Sequence, residues 1–395
     1  MRALQGKKWV GFLMVLVVAV FLAEAGHAED YKIGYVTGLS GPMAGSWTPV
    51  WEGFELYMKQ VNDGGGVNGR KIKLFLDDDG CRADRAVADA KKQAERDGVL
   101  AIFGLSVSST HSPVYTEMRK VGIPVVSSYS GVTDALPPAK PYSYSIGTLF
   151  EVSGEVLGAF VKSVVPKGKV VGLTIDTTGG HVALRHNKLM VESLGYTWDE
   201  VVCPIRTSDF TSFAQTVAVM KPAVVITHYG DSHNLGMIPA LRKAGYEGPV
   251  IAATQGTTED TVRQIAEKAG SGKNIYIVTR YVPFTDDTPG TRALKAAASK
   301  YGIAHPTLMH VTGWVLGKFA VEALAKCGPN CTRESLDKTI QNLKVETDGL
   351  SGGAIEMSPT DHYGPSYWRL YRWDNSKLVA VGGWHKKVAL KFPLR

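Results

Sequence analysis

From Tyr31 onward, short apolar runs alternate with segments of helical period, and the alternation persists for most of the chain. Tyr31–Val36 reads as a buried strand leading into a loop rich in glycine and serine. Thr48 and Pro49 supply a helix cap and a first helical position. Val50, Phe54, Met58 and Val61 then recur at helical spacing up to the stop at Gly64-Gly65-Gly66. A strand over Lys71–Asp77, a helix over 86–97 and a strand over Leu100–Phe103 come next. A short helix over Pro113–Lys120 capped by Ser112, and a strand over Ile123–Ser127, complete the block. This is the rhythm of parallel βαβ units with right-handed crossovers.

The pattern restarts after Gly147. Helices are expected over Glu151–Val164, Ala183–Leu194, Phe210–Met220 and Leu235–Ala244. Strands are expected over Val170–Thr174, Val224–Thr227 and Val250–Ala253, with helical segments from Ala293 to Lys326. The tail changes character. Tyr367–Trp373 and Val379–Trp384 alternate with period two around Asn375-Ser376, an antiparallel hairpin joined to a mostly parallel protein. The expected fold is α/β: two doubly wound, Rossmann-like lobes with a cleft between them. A length of 395 residues suits two such cores.

The N-terminus has the marks of an export signal. Arg2, Lys7 and Lys8 precede an apolar run from Trp9 to Leu22, and Gly26 and Ala28 are small residues suited to cleavage after Ala28. No later stretch reaches the ~18 apolar residues of a bilayer span, so the expected location is the periplasm. The formal charge of +7 is scattered. No basic stripe is interleaved with stacking aromatics, which speaks against nucleic-acid binding. Cys327 and Cys331 enclose the turn Gly328-Pro329-Asn330 and are expected to form a disulfide; Cys81 and Cys203 read as free thiols.

Doubly wound sheets bind ligands outside the carboxyl ends of their strands. Here those ends carry loops rich in Gly, Ser and Thr, most of them followed by helix N-termini, which favour a carboxylate. Catalytic readings are weaker. Ser108, Ser109 and His111 lack a nucleophile elbow. Gly270-Ser-Gly-Lys273 lacks the rest of a phosphate loop, with Glu267 and Asn274 at the other motif positions. His181 and His186 are spaced poorly for a metal, and His228 and His233 flank a strand end. No cofactor or metal is expected.

The run from Gly64 to Leu74, followed by Asp77-Asp-Asp79, Cys81 and Ala88-x-Ala90-Lys91, resembles the leucine/isoleucine/valine-binding protein family. These are type I periplasmic substrate-binding proteins of ABC importers. Phe103-Gly104 leading to Ser108-Ser109-Thr110, and Gly122 to Ser127, fit the same template. The resemblance implies three crossovers, near 143–149, 278–283 and 344–352. Lobe 1 is then 29–147 plus 283–345, and lobe 2 is 148–282 plus 346–395. It also implies that lobe 1 holds a ligand carboxylate through Ser106, Val107, Ser108 and Ser109 and through Tyr129, Ser130 and Gly131, with Trp47 over the ligand. Lobe 2 closes with Thr178, His181, Tyr229, Asp231 and Gln255.

Two departures stand out. Ser106 occupies a position where relatives often carry the disulfide partner of Cys81. Gln255 replaces an acidic residue that pairs with a ligand ammonium. The expected function is therefore capture of a small carboxylate, of branched-chain amino acid or aromatic/apolar acid type, by a monomer that delivers it to an ABC permease. Tyr129, Trp47, Tyr229 and His310 are candidate aromatic walls, and Asp231 is a candidate substitute counter-charge. A sensing subunit of the same fold and an exported α/β enzyme are the alternatives.

Overall fold

A computed structural model describes residues 29–41, 43–128, 133–253, 257–374 and 376–387. The export signal and its cleavage site lie outside these residues, as do Tyr129, Ser130, Gly131 and Gln255.

Among the described residues, the first sheet has five strands. They are β1 (Tyr31–Thr37), β2 (Ile72–Asp78), β3 (Ala101–Gly104), β4 (Val125–Ser127) and β5 (Ser143–Ser145), in the spatial order β2-β1-β3-β4-β5. All the pairings are parallel. Helices α1 (Ala44–Asp63), α2 (Ala83–Lys92) and α3 (Ser108–Val121) make the first crossovers, and α4 (Phe150–Val164) follows β5.

The second sheet repeats that order in its parallel part. Its strands are β6 (Lys169–Ile175), β7 (Thr197–Cys203), β8 (Val224–His228), β9 (Val250–Ala252) and β10 (Ile275–Thr279), arranged β7-β6-β8-β9-β10. Helices α5 (Thr178–Ser193), α6 (Thr211–Val219), α7 (Asp231–Lys243) and α8 (Glu259–Ala269) connect them. β13 (Tyr367–Asp374) joins antiparallel to β10, and β14 (Lys377–Lys386) pairs antiparallel to β13, which is the hairpin expected from the period-two tail.

Two helices begin more than a turn earlier than proline placement suggests. Pro49 lies inside α1 and Pro113 inside α3, each at the sixth helical position rather than the first. Proline there removes one backbone hydrogen bond. The buried faces start upstream of it, with Trp47 in α1 and Thr110 and His111 in α3, and their packing keeps the preceding turn helical. In α3 the Thr110 hydroxyl and His111 Nδ1 both donate to the Val107 carbonyl, at 2.8 and 2.6 Å, securing that turn. β7 carries little apolar pattern because it is a sheet edge with exposed positions.

The region after β10 holds α9 (Pro289–Tyr301), α10 (Leu308–Cys327) and α11 (Arg333–Ile340). Threonines 288, 307 and 332 each accept a hydrogen bond from a first-turn N–H, with capping boxes at all three. α10 packs closely on α1: a methyl at Gly53 would overlap the His310 carbonyl, and one at Gly313 the Val50 carbonyl. Cys327 and Cys331 are bridged, with Cα atoms 5.3 Å apart. The Gly328 carbonyl of that loop accepts from the Tyr31 hydroxyl at 2.8 Å. Cys81 and Cys203 are free thiols.

The short strands β11 (Lys344–Val345) and β12 (Ile355–Glu356) pair with each other. The chain then returns to the first sheet: Ser145 N–H donates to His362 O, and His362 N–H to Ala135 O. The Tyr144 and His362 rings stack at 4.4 Å.

Candidate functional site

In each sheet the strand order reverses once, between β1 and β3 in the first and between β6 and β8 in the second. Those switch points open crevices where ligands of doubly wound sheets bind. Trp47 and Ser106–Ser109 follow β1 and β3; Thr178, His181, Tyr229 and Asp231 follow β6 and β8. The two crevices face each other. A methyl placed on Gly230, after β8, would stand 3.5 Å from Cε of Met43, at the start of α1.

On the first sheet, Asp78 shapes the β1–α1 loop. Its Oδ1 accepts N–H bonds from Leu39, Ser40 and Gly80. Burial would raise this carboxyl, but the Ser40, Gly80 and Leu39 hydrogen bonds outweigh it and hold the group below the usual carboxylate range. Its fully buried neighbour Asp79 accepts from Cys81 N–H at 2.6 Å, and burial pushes its carboxyl up to about 6. The sequence displays this acidic run without displaying its role as a loop brace.

After β3, Leu105 adopts a positive φ of 59°, which turns the chain toward α3. Ser106 is fully buried, with its Oγ 3.6 Å from Cys81 Sγ. Val107 is the extended N-cap residue, half-buried Ser108 and exposed Ser109 open α3, and the helix presents its first N–H groups there. Trp47 is 5 % exposed and packs with Val50 and Met309, beside Met43 and Cys81. The ring is thus packed into the lobe rather than standing as a free flap.

On the second sheet, Thr178 and His181 are exposed. The Thr177 hydroxyl accepts from Gly180 N–H, capping α5, and His181 Nε2 lies 2.8 Å from Asp176 Oδ1. Tyr229 stands apart from these. It is fully buried, its hydroxyl 3.0 Å from Cys203 Sγ and its ring beside Phe210 and His233. Asp231 Oδ1 accepts from the Thr261 hydroxyl at 2.7 Å, and burial pushes its carboxyl up to about 6.

His228, His233 and His310 each meet a partner within the fold. His228 meets Asn187, and burial drives its pKa down to about 3. His233 Nε2 donates to Ile205 O at 3.1 Å. His310 sits inside α10's capping box, with its Nε2 3.0 Å from Glu52 Oε2, so it forms no wall of the crevice. No group of side chains suited to a metal ion occurs among the described residues. Surface hollows of about 410 Å³ beside α9 and about 380 Å³ beside the β13–β14 hairpin include no switch-point residue.

One cation was not foreseen. Arg280, directly after β10, is 1 % exposed and donates from Nη1 to the Ile146 carbonyl after β5. Its Nε and Nη2 have no hydrogen-bond partner.

Two doubly wound lobes that oppose their switch points define a cleft-type binding protein. The periplasmic binding protein family model matches residues 30–377, and the chain belongs to that family. It is similar to Leu/Ile/Val-binding protein homolog 7 of Brucella melitensis, 23% identical over 391 residues, covering 93% of this chain and 96% of that protein. In fold it is similar to a branched-chain amino acid ABC transporter protein of Thermus thermophilus with bound valine (TM-score 0.82, 17% identity, 92% and 98% of the two chains). A solute-binding protein of an ABC transporter from Rhodopseudomonas palustris in complex with benzoate also superposes (TM-score 0.78, 20% identity, 92% and 98%).

Proposed function

We propose that this protein is the extracytoplasmic solute receptor of an ABC importer. It captures a small carboxylate with an apolar or aromatic body between its lobes and passes it to a membrane permease. The observation that carries the reading is the opposition of the two switch points at Met43 and Gly230. Serines and helix N-termini on the first sheet suit a carboxylate. An ammonium finds little on the second sheet. Gln255 carries no charge, and Asp231 is already bonded to Thr261 at the start of α8. Burying an ammonium without a counter-charge is costly, which favours a plain acid over an amino acid. The N-terminal segment is read as a cleaved export signal, and no catalytic role is assigned to the cleft.

The lobes of this reading are 29–147 with 283–345, and 148–282 with 346–395. Within the second range, the part around His362–Gly364 is bonded to the first sheet: Ser145 of β5 donates to His362 O and accepts from Gly364 N–H.

Calorimetry with benzoate, 3,4-dihydroxybenzoate, octanoate, valine and leucine tests the assignment. Binding of an acid with no response to amino acids supports it. Tight binding of leucine or valine, abolished by Asp231→Asn, shows instead that Asp231 serves an ammonium.

A further inference from the structure

Glu259 is a carboxylate that reaches from one lobe to the other. It is the first residue of α8, the helix between β9 and β10 of the second sheet. That helix start is fixed within its own lobe. The Thr258 hydroxyl accepts from Thr261 N–H, and the Thr261 hydroxyl donates to Asp231 of α7. The Glu259 side chain extends away from these bonds, and its Oε1 accepts from Phe284 N–H at 2.6 Å.

Phe284 belongs with the first lobe. It lies just past the passage of the chain out of β10, and Lys295 Nζ of α9 stands 5.3 Å from the centroid of its ring. α9 in turn meets the end of α1, where the Tyr301 hydroxyl donates to Asp63 Oδ2 at 2.6 Å. The N–H of Leu308, the first residue of α10, also faces the Glu259 carboxyl, as do those of Thr285 and of Glu259 itself. The next residue, Met309, packs with Trp47. One carboxylate is thus shared by the first turns of two helices, α8 of the second lobe and α10 of the first. Its first-lobe end stands one residue from the Trp47 cluster.

The tie carries a cost. Oε2 is buried without a hydrogen-bond partner, and among the described residues no cation forms an ion pair with Glu259. Burial raises its carboxyl above the usual carboxylate range, and the converging N–H groups offset only part of that rise. What holds the lobes is therefore an oxygen placed for Phe284 N–H rather than the charge. When the lobes rotate apart, water takes over both partners of that bond.

We propose that Glu259 is a positioning residue of the binding cycle: its Oε1 ties the second lobe to the first at Phe284, favours the closed arrangement and so sets the affinity for a ligand enclosed between the lobes. The proposal rests on the receptor reading and places the control outside the ligand's own contacts. A protein that is closed less of the time binds the same ligand more weakly by that fraction.

The test compares the mature protein with Glu259→Gln, which keeps an acceptor for Phe284 and removes the charge, and with Glu259→Ala, which removes both. Calorimetry with benzoate, 3,4-dihydroxybenzoate, octanoate, valine and leucine identifies a probe that the parent binds, and that probe is used for all three proteins. Glu259→Ala should bind it at least about fivefold more weakly, the effect of one lost buried hydrogen bond, yet reach the parent's radius of gyration at saturation. Glu259→Gln should bind at least as tightly as the parent, because it keeps the bond without a buried charge.

Parent-like affinity in Glu259→Ala overturns the tie. If that variant also melts lower, Glu259 only braces the helix starts. A Glu259→Gln variant as weak as Glu259→Ala overturns the tie as well, since the charge between the two helix N-termini would then be at work. A parent that binds only valine or leucine overturns the plain-acid reading, and the same affinity ratios still decide the tie. A parent that binds no probe counts against the receptor reading, and the empty proteins then decide the tie by small-angle scattering. A radius that grows in Glu259→Ala and not in Glu259→Gln supports it; one radius for all three overturns it.

Discussion

Asp231, the first residue of α7, accepts a hydrogen bond at 2.7 Å from the Thr261 hydroxyl in the first turn of α8. The carboxylate that sequence reasoning offers to a ligand thus spends a lone pair on holding two cleft helices in register. Burial raises its carboxyl to about 6, the Thr261 and Thr258 hydrogen bonds offsetting part of that rise.

A raised carboxyl pKa means that the folded protein binds the proton more tightly than the unfolded chain does. The benefit is present below the ordinary carboxylate value and is lost as pH climbs through about 6. Asp231→Asn removes the ionisation and retains an acceptor for Thr261. The variant is expected to melt about 1–3 °C above the parent at pH 7.5 and level with it near pH 4. Asp79 carries a similar shift in both proteins and cancels from the comparison. A variant that melts below the parent at pH 7.5 would show that the negative charge stabilises the α8 N-terminus by more than its burial costs.

The approach of α1 and α10 gives a graded prediction. Gly313→Ala would press a methyl into the Val50 carbonyl and near Phe54 N, both backbone atoms that cannot turn aside. A loss of ~3 kcal/mol or more in urea unfolding is expected, at the upper end of overpacking costs. Gly317→Ala meets the Tyr57 side chain at 2.7 Å, which has more room to move, and should cost less. Gly45, with nothing within 4 Å of an added methyl, should gain up to ~1 kcal/mol on substitution by alanine through helix propensity. An equal effect at all three sites would contradict the packing argument.

The disulfide closes a very short loop. Cys327 and Cys331 are four positions apart, and their loop is also held by Tyr31 through the Gly328 carbonyl. A bridge this short removes little freedom from the unfolded chain, so the Cys327→Ser/Cys331→Ser double variant should lose less than the ~2–4 kcal/mol typical of longer loops. Peptide mass mapping without reductant should recover the two cysteines linked; two free thiols in exported protein would refute the bridge.

The alternation of elements was legible where a buried strand is mostly apolar, as over Val224–Ile226 of β8; β5, which reads Ser-Tyr-Ser, and β10 were not read as strands. Helix starts were less legible, since Pro49 and Pro113 look like first-turn residues and prove to be interior ones. β7 went unseen because an edge strand reading Thr-Trp-Asp-Glu needs no apolar stripe. Within the site, the loops after β1, β3, β6 and β8 could be placed from glycine and serine content. Which way a ring points could not: Tyr229 turns into the lobe core toward Cys203, and His310 turns to Glu52. Arg280 looked like any other arginine in the sequence. Only its burial between two strand ends sets it apart.

Closure is the last expectation. The chain passes between the sheets after β5 and after β10; Arg280 with Ile146 ties these two passages together, and Val282 with Leu350 ties the second of them to the segment between β11 and β12. Hydrogen bonds among the connections favour rotation about a shared axis over sliding of one lobe across the other. A ligand that touches both switch points binds the closed form better and shifts the population toward it in proportion to that difference. Small-angle scattering should therefore record a smaller radius of gyration at saturating acid than in the empty protein. Proven binding with an unchanged radius would mean that the lobes are already closed when empty, and the coupling of ligand to motion would fall.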